Sequence, residues 1–389
     1  MILEKNKCTG CGSCAIACSN KCIVMEEDNE GFRFPKINYE KCIGCNLCKK
    51  SCPVIEKPAL SEKTIAIAAK NKNLDMRLNS SSGGFFYQLA IKIIEKGGLV
   101  CAAKYDENFM VVHTIIDKVQ DIPPLCGSKY SQSKVEHCFM NIKKALEIGQ
   151  NVVFFGTPCQ VAGLAKFLNK QYSNLILVDN ICHGIPSPKI WNKYLGERRK
   201  IDANGSLVKE VNQRNKSTGW SNYSYSVEIK YENGNRYLSK QSEDLFMKGF
   251  TGNLFLRDSC SNCEFKGVER VSDITVGDYW GVWKQHPDFD DDKGTSLLLI
   301  HTNKGIKIWN LINDNFDYID VDVYEALENN PSALKSSPKH KNRDKFFKEV
   351  VKHKSILNAI ERNMSCNSNN SLINRFYNHI VHLKRGIKK

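Results

Sequence analysis

The chain has 389 residues, 41% of them apolar and 10% aromatic, which is too long for one small domain and ample for a buried core. No apolar run approaches the roughly 18 residues that span a bilayer, and no helix-turn-helix or zinc-finger pattern accompanies the net charge of +14, so the charge does not argue for nucleic acid. An acidic partner, an anionic substrate or plain solubility accounts for it as well, whereas 17 cysteines are far more than an ordinary intracellular chain carries.

Eight of those cysteines open the chain. They read Cys8-x-x-Cys11-x-x-Cys14-x-x-x-Cys18 and Cys42-x-x-Cys45-x-x-Cys48-x-x-x-Cys52-Pro53. Three thiols two residues apart wrap one iron–sulfur cube, and the fourth is carried on to the neighbouring cube. The spacing therefore predicts a bacterial-type dicluster ferredoxin with two [4Fe–4S] clusters. Cys8, Cys11, Cys14 and Cys52 would hold the first; Cys42, Cys45, Cys48 and Cys18 would hold the second. Ser19 stands where the usual proline would follow Cys18; this shapes a turn and removes no ligand. Zinc sites favour paired C-x-x-C. Disulfides need an oxidising compartment, and the start Met1-Ile-Leu-Glu-Lys lacks the apolar stretch of a secretion signal, so a cytoplasmic location is expected.

Residues 1–57 are read as the ferredoxin domain and 58–78 as a linker with one short strand at Thr64–Ala69. Ser81-Ser82-Gly83-Gly84 then leads into a helical pattern that Gly97-Gly98 end. Residues 79–150 form the first part of a core and 151–328 its second part. In the second part, Asn151–Phe155 is a strand, Gly156-Thr157-Pro158-Cys159 turns it into a helix, and Leu175–Val178 is a strand ending near Cys182-His183-Gly184. Strand, helix, strand, helix argues a parallel α/β arrangement, with Cys159 and Cys182 at the carboxyl ends where open sheets place ligands. Residues 329–389 read as a basic helical tail, with Ile373–Ile387 its last helical patch. The fold class expected is α+β multidomain: the ferredoxin fold followed by an α/β core.

Of the nine remaining cysteines, Cys159, Cys182, Cys260 and Cys263 sit in loops rich in Gly, Pro or Ser, and could hold a third cluster. By spacing alone, a redox disulfide at Cys260-x-x-Cys263 and idle loop thiols fit as well. Cys22, Cys101, Cys126, Cys138 and Cys366 show no partner pattern, and Cys101 and Cys138 lie in apolar surroundings suited to a core.

Further motifs follow in order: Gly127-Ser128-Lys129-Tyr130, Gly156 to Gln160, Cys182-His183-Gly184, Asp273 to Asp278 and Gly294-Thr295-Ser296. With Ser81–Gly84 and Cys260-x-x-Cys263, this set resembles the beta-subunit family of coenzyme F420 hydrogenases and dehydrogenases, from about Ser80 to Gly305. The resemblance implies an FAD-containing oxidoreductase core with a third [4Fe–4S] cluster on Cys159, Cys182, Cys260 and Cys263. It also implies flavin contacts from Ser81, Ser82, Gly83, Gly84, Gly127, Ser128, Lys129 and Tyr130. Gly-rich loops that admit a pyrophosphate fit that role, although no G-x-G-x-x-G fingerprint is present. His183 and Asp278 are the candidate catalytic groups.

The function expected is electron transfer from a ferredoxin-type chain through the clusters to FAD and a small organic substrate, F420-like or another reducible metabolite. The alternative is a non-catalytic subunit feeding a partner oxidoreductase. The partners implied are a redox protein (a ferredoxin or an oxidoreductase subunit) and the small molecule; a homo-oligomer is left open.

Overall fold

A computed structural model describes residues 2–352 and 355–365. Cys366 and the predicted patch Ile373–Ile387 lie outside the described residues. The strands in chain order are β1 Ile23–Glu27, β2 Arg33–Ile37, β3 Ile65–Asn71, β4 Leu99–Tyr105, β5 Val111–Ile116, β6 Val152–Gly156, β7 Leu175–Asn180, β8 Val208–Asn215, β9 Ser226–Tyr231, β10 Arg236–Lys240, β11 Ile274–Asp278, β12 Ser296–Ile300 and β13 Phe316–Val321. They make an antiparallel β1–β2 hairpin in the cysteine-rich module, a β10-β9-β8 sheet, and an eight-stranded sheet in the order β13-β3-β12-β11-β7-β6-β4-β5.

Only the centre of the large sheet is parallel: β4, β6, β7 and β11 run together, while β5, β12, β3 and β13 add antiparallel strands on the two sides. The side chains of β4 and β6 alternate as a two-residue period demands. Val100, Ala102 and Val153 pack with Phe85, Leu89 and Ile93 of helix Phe85–Glu95. Cys101, Val152 and Phe154 face the other way, onto Phe139 and Ile142 of helix Glu136–Glu147 and Val161 and Leu164 of helix Pro158–Leu168. Helices thus cover both faces of the parallel centre, and Cys101 and Cys138 are core residues as expected.

Two expected boundaries are corrected. Residues 58–78 are not simply a linker, because β3 pairs with β12 on one side and β13 on the other and is buried over Ala66–Ala69. Its partners lie more than 200 residues downstream, so an Ala-rich stretch with polar flanks carries little local sign of a central strand. Residues 329–365 are not a tail either: Phe346, Phe347, Ile356 and Ile360, on helices Arg343–Lys352 and Ile356–Ser365, pack in the same cluster as Trp191 and Phe255. Among the described residues no helix is long and apolar enough to cross a membrane.

Candidate functional site

The first cysteine run and Cys52 converge. Cys8, Cys11, Cys14 and Cys52 line one small cavity together with Met25, Pro35 and Val54. Burial pushes the Cys11 thiol up to about 12, and nearby Cys8 and Cys52 push the same way. Cys42, Cys45 and Cys48 form a second neighbourhood, and Cys18 reaches it through Cys22, which lies beside both Cys18 and Cys42. Cys52 thus lies with the first run, and Cys18 lies on the side of the second. Among the described residues no three ligating side chains close on one ion position.

The four downstream cysteines are brought together as well. Cys159 stands in electrostatic contact with Cys182, Cys260 and Cys263. Burial raises the Cys182 thiol to about 11 and the Cys260 thiol to about 12, and neighbouring sulfurs add to both. Burial and neighbouring sulfurs oppose ionisation of Cys159, Cys182 and Cys260, and a cationic group beside them would offset that cost.

Local sequence explains how these thiols are aimed. Thr157, Pro158 and Gln160 occupy the N-cap, first and third positions of helix Pro158–Leu168 and form a capping box. Cys159 is thereby fixed on the first turn, at the carboxyl end of β6. Cys182 follows β7, where Lys266 Nζ bonds its carbonyl. Cys260 Sγ accepts the Ile185 amide at 3.4 Å.

Above the thiols lies a cavity of about 1130 Å³. Ser81, Ser82, Gly84, Gly127, Ser128, Lys129, Tyr130, Cys159, Cys182, His183 and Asp278 all line it, so most residues singled out in the sequence meet at one place. The motifs interlock around it. Ser82 Oγ donates to Thr295 O at 2.8 Å, and Gly83 N donates to Ser296 Oγ at 2.9 Å. A Cβ on Gly83 would collide with Ala69 O, so no other residue fits there. Ser81 Oγ and Ser128 Oγ are 2.9 Å apart, tying the first motif to the second.

Lys129, His183 and Asp278 are each held by protein partners. Lys129 gives its ammonium to the carbonyls of Leu125, Cys126 and Gly127 at 3.1, 2.8 and 3.0 Å, which closes its own loop. Burial lowers it to about 8. His183 is held between Asn253 Oδ1 at 2.7 Å and Ser332 Oγ at 3.3 Å, and burial lowers its pKa, favouring the neutral ring. Asp278 is clamped by Arg214 at 2.8 and 3.0 Å and accepts from Trp220 Nε1 at 3.2 Å.

Arg214 is the residue sequence reasoning missed. It comes from β8, outside the large sheet, yet its guanidinium also reaches Tyr130 OH at 3.2 Å and Ser81 O at 3.1 Å. No motif marks a lone arginine in a polar strand. Ser131 Oγ and Arg214 Nε, buried in cavity-lining residues, have no hydrogen-bond partner among the described residues. Such orphaned groups suit a polar ligand.

The cysteine-rich module is seated on the core. Arg257, buried, donates to Cys8 O at 2.7 Å, Arg33 O at 3.0 Å and Gln132 Oε1 at 3.2 Å. Gly163, one turn after Cys159, faces Cys11: a Cβ there would meet Cys11 Sγ at 3.0 Å.

With this geometry in place, comparison with known proteins finds two matching segments. Residues 149–324 match the family model for the C-terminal part of the coenzyme F420 hydrogenase/dehydrogenase beta subunit, and residues 2–59 match the 4Fe-4S dicluster domain. Just under half of the chain is thus similar to that beta-subunit family, behind a 4Fe-4S dicluster module. The chain is 25% identical over 170 residues to the coenzyme F420-dependent sulfite reductase of Methanocaldococcus jannaschii, covering 42% of the chain and 26% of that protein. Its first module is 42% identical over 53 residues to pyruvate synthase subunit PorD of the same organism, covering 14% of the chain and 57% of that protein. The chain thus spans about a quarter of the first relative and somewhat over half of the second. A chain from the F420-reducing [NiFe] hydrogenase complex of Methanosarcina barkeri overlays with a TM-score of 0.47 at 19% identity, covering 77% of this chain and 94% of that one. The matched segments are a 4Fe-4S dicluster module at residues 2–59 and a beta-subunit-like region at residues 149–324.

Proposed function

We propose that this protein is an iron–sulfur flavoprotein oxidoreductase that delivers electrons from a ferredoxin-type partner to a small organic substrate. The observation that carries the reading is the shared cavity: thiols from Cys159 and Cys182 and the Ser81–Gly84 and Gly127–Tyr130 loops line one space. Cys159, Cys182, Cys260 and Cys263 would hold an inner [4Fe–4S] cluster, and the two loops would hold FAD. A flavin, when bound, supplies the pairing of single electrons into a two-electron transfer. The chain's own residues position it. Ser131 Oγ offers a free hydroxyl, and Arg214 fixes Asp278 and Tyr130 as one rigid wall. His183, as a neutral imidazole at the cavity edge, is the nearest candidate for moving a proton. At about 1130 Å³ the cavity exceeds the roughly 300–1,000 Å³ of a typical single-ligand pocket. That favours a cofactor plus a substrate over a non-catalytic role. Coenzyme F420 or another reducible metabolite is the substrate class.

Electrons arrive at the second cysteine run. Cys42 and Cys45 are exposed there, with Ile43 and Leu47 beside them and Lys21, Lys41, Lys49 and Lys50 around them. That apolar patch with a basic collar suits an acidic redox protein.

Iron, acid-labile sulfide and flavin, measured after anaerobic purification and cluster reconstitution, test the reading. About twelve irons and one FAD per chain are expected. About eight irons without flavin would remove the inner cluster and the catalytic role with it.

A further inference from the structure

We propose that Cys22 is a reserve ligand of the second cluster, taking the iron position of Cys18 when Cys18 is lost. This rests on the ferredoxin reading, with Cys18, Cys42, Cys45 and Cys48 as that cluster's ligands.

Cys22 Sγ lies 3.2 Å from Cys18 Sγ and beside the thiol of Cys42, so it stands between two members of one ligand set. The backbone holds it there. Lys21 N donates to Cys18 O at 3.0 Å, and Lys21 has φ +50°, which folds the chain back so that residue 22 returns to residue 18. Cys22 O then accepts Asn38 N at 2.8 Å, and Ile23 pairs with Ile37, fixing the start of β1. The side chain is buried, 5% exposed, so its sulfur cannot swing to solvent. A thiol packed this way is either idle filling or a spare donor.

The internal repeat argues for the spare. Four residues after Cys18 stands Cys22; four residues after Cys52, the equivalent ligand of the other run, stands Glu56. A carboxylate is a hard oxygen donor and a poor substitute for thiolate on an iron–sulfur cluster. The spare is therefore present on one side only. That side is the exposed one: Cys42 and Cys45 face solvent, whereas Cys11 is buried against the core. Ligand loss by oxidation is to be expected where solvent reaches the sulfurs.

The exchange is a ligand substitution without redox change. When residue 18 offers no thiolate, the Cys22 thiol releases its proton to solvent and its sulfur forms the iron–sulfur bond that Cys18 would have made. Four thiolates hold the cluster before and after, and no electron is moved.

The test uses the full chain, reconstituted anaerobically, as C18S, C22S, C18S/C22S and C52S. Iron and sulfide per chain are measured with the electron paramagnetic resonance spectrum of the reduced protein. C18S and C22S are expected to keep the wild-type iron content, and C18S/C22S and C52S to lose about four irons each. Equal iron loss in C18S and the double variant overturns the proposal, and so does equal retention in both, which would mean that the introduced hydroxyl itself ligates. If C52S keeps all its iron, the ligand assignment fails and the proposal falls with it; if C52S and C18S both lose four, only the role of Cys22 fails. A second readout covers poor folding of the C18S chain. In wild-type protein treated to oxidise Cys18, Cys22 should resist iodoacetamide until iron is chelated; equal alkylation before and after chelation overturns the proposal.

Discussion

The two cysteine runs of the first module are alike in sequence and opposite in setting. Around Cys8, Cys11, Cys14 and Cys52 the module is pressed onto the core, with Arg257 gripping the Cys8 carbonyl and Gly163 flat against Cys11. Around Cys42 and Cys45 there is solvent, exposed Ile43 and Leu47, and four lysines. The difference teaches direction. A repeat that is symmetric as a motif becomes an asymmetric conductor once one half is buried and the other is left open to a partner.

That asymmetry can be broken first at its inner end. Arg214→Ala would leave Asp278 without its cation in a partly buried wall, and breaking such a pair costs about 3–5 kcal/mol. The thermal midpoint should fall, and on the flavin reading proposed above flavin content should fall sharply with it, while iron in the first module stays at the wild-type level. Unchanged flavin affinity would separate Arg214 from the cavity. At the seam, Arg257→Ala should cost about 2–3 kcal/mol by stranding Cys8 O, Arg33 O and Gln132. Arg257→Lys, lacking the planar fork, should not restore it. Gly163→Ala at the same seam drives a methyl into Cys11 and should cost about 1–3 kcal/mol. Stopped-flow absorbance should then show slower transfer from the first module to the inner site with both still loaded.

Two smaller effects sharpen the contrast. Reversing Lys49 and Lys50 to Glu should slow reduction by an acidic partner protein about tenfold at low salt, with the gap closing as salt rises. Stability and cluster content should not change, since both side chains are exposed. In the core, burial lowers His113 to about 4, so the folded chain keeps it neutral, between Phe155 O and Ser133 Oγ. The unfolded chain binds that proton near pH 6.5. Stability from this group is therefore complete above pH 6.5 and is lost as pH falls toward 4, by about 3 kcal/mol. His113→Gln should flatten that part of the pH–stability curve; an unchanged slope between pH 6.5 and 4 would assign the acid lability elsewhere.

Much of this is readable in the chain, for reasons of locality. The ferredoxin runs are short-range patterns, and the Thr157–Gln160 capping box explains a motif within four residues. The Ser82–Gly83 and Thr295–Ser296 motifs are visible separately, but not that they bond each other across 213 residues. The strand at Thr64–Ala69 and the helical character after residue 329 are legible, but not their place in the core, because what puts them there is distant: pairing with β12 and β13, and packing near Trp191. Arg214 has no signal at all, since its importance lies in three partners from three other segments.

The helix Pro158–Leu168 carries one further consequence. Cys159 sits on its first turn and Gly163 meets Cys11 one turn on, a rise of about 6 Å along the axis. The spacing between the module and the inner thiols is thereby set by one turn of helix and the packing of Gly163 on Cys11. On the proposed reading, the gap an electron would cross between module and inner thiols is set by one helical turn and one close-packed contact.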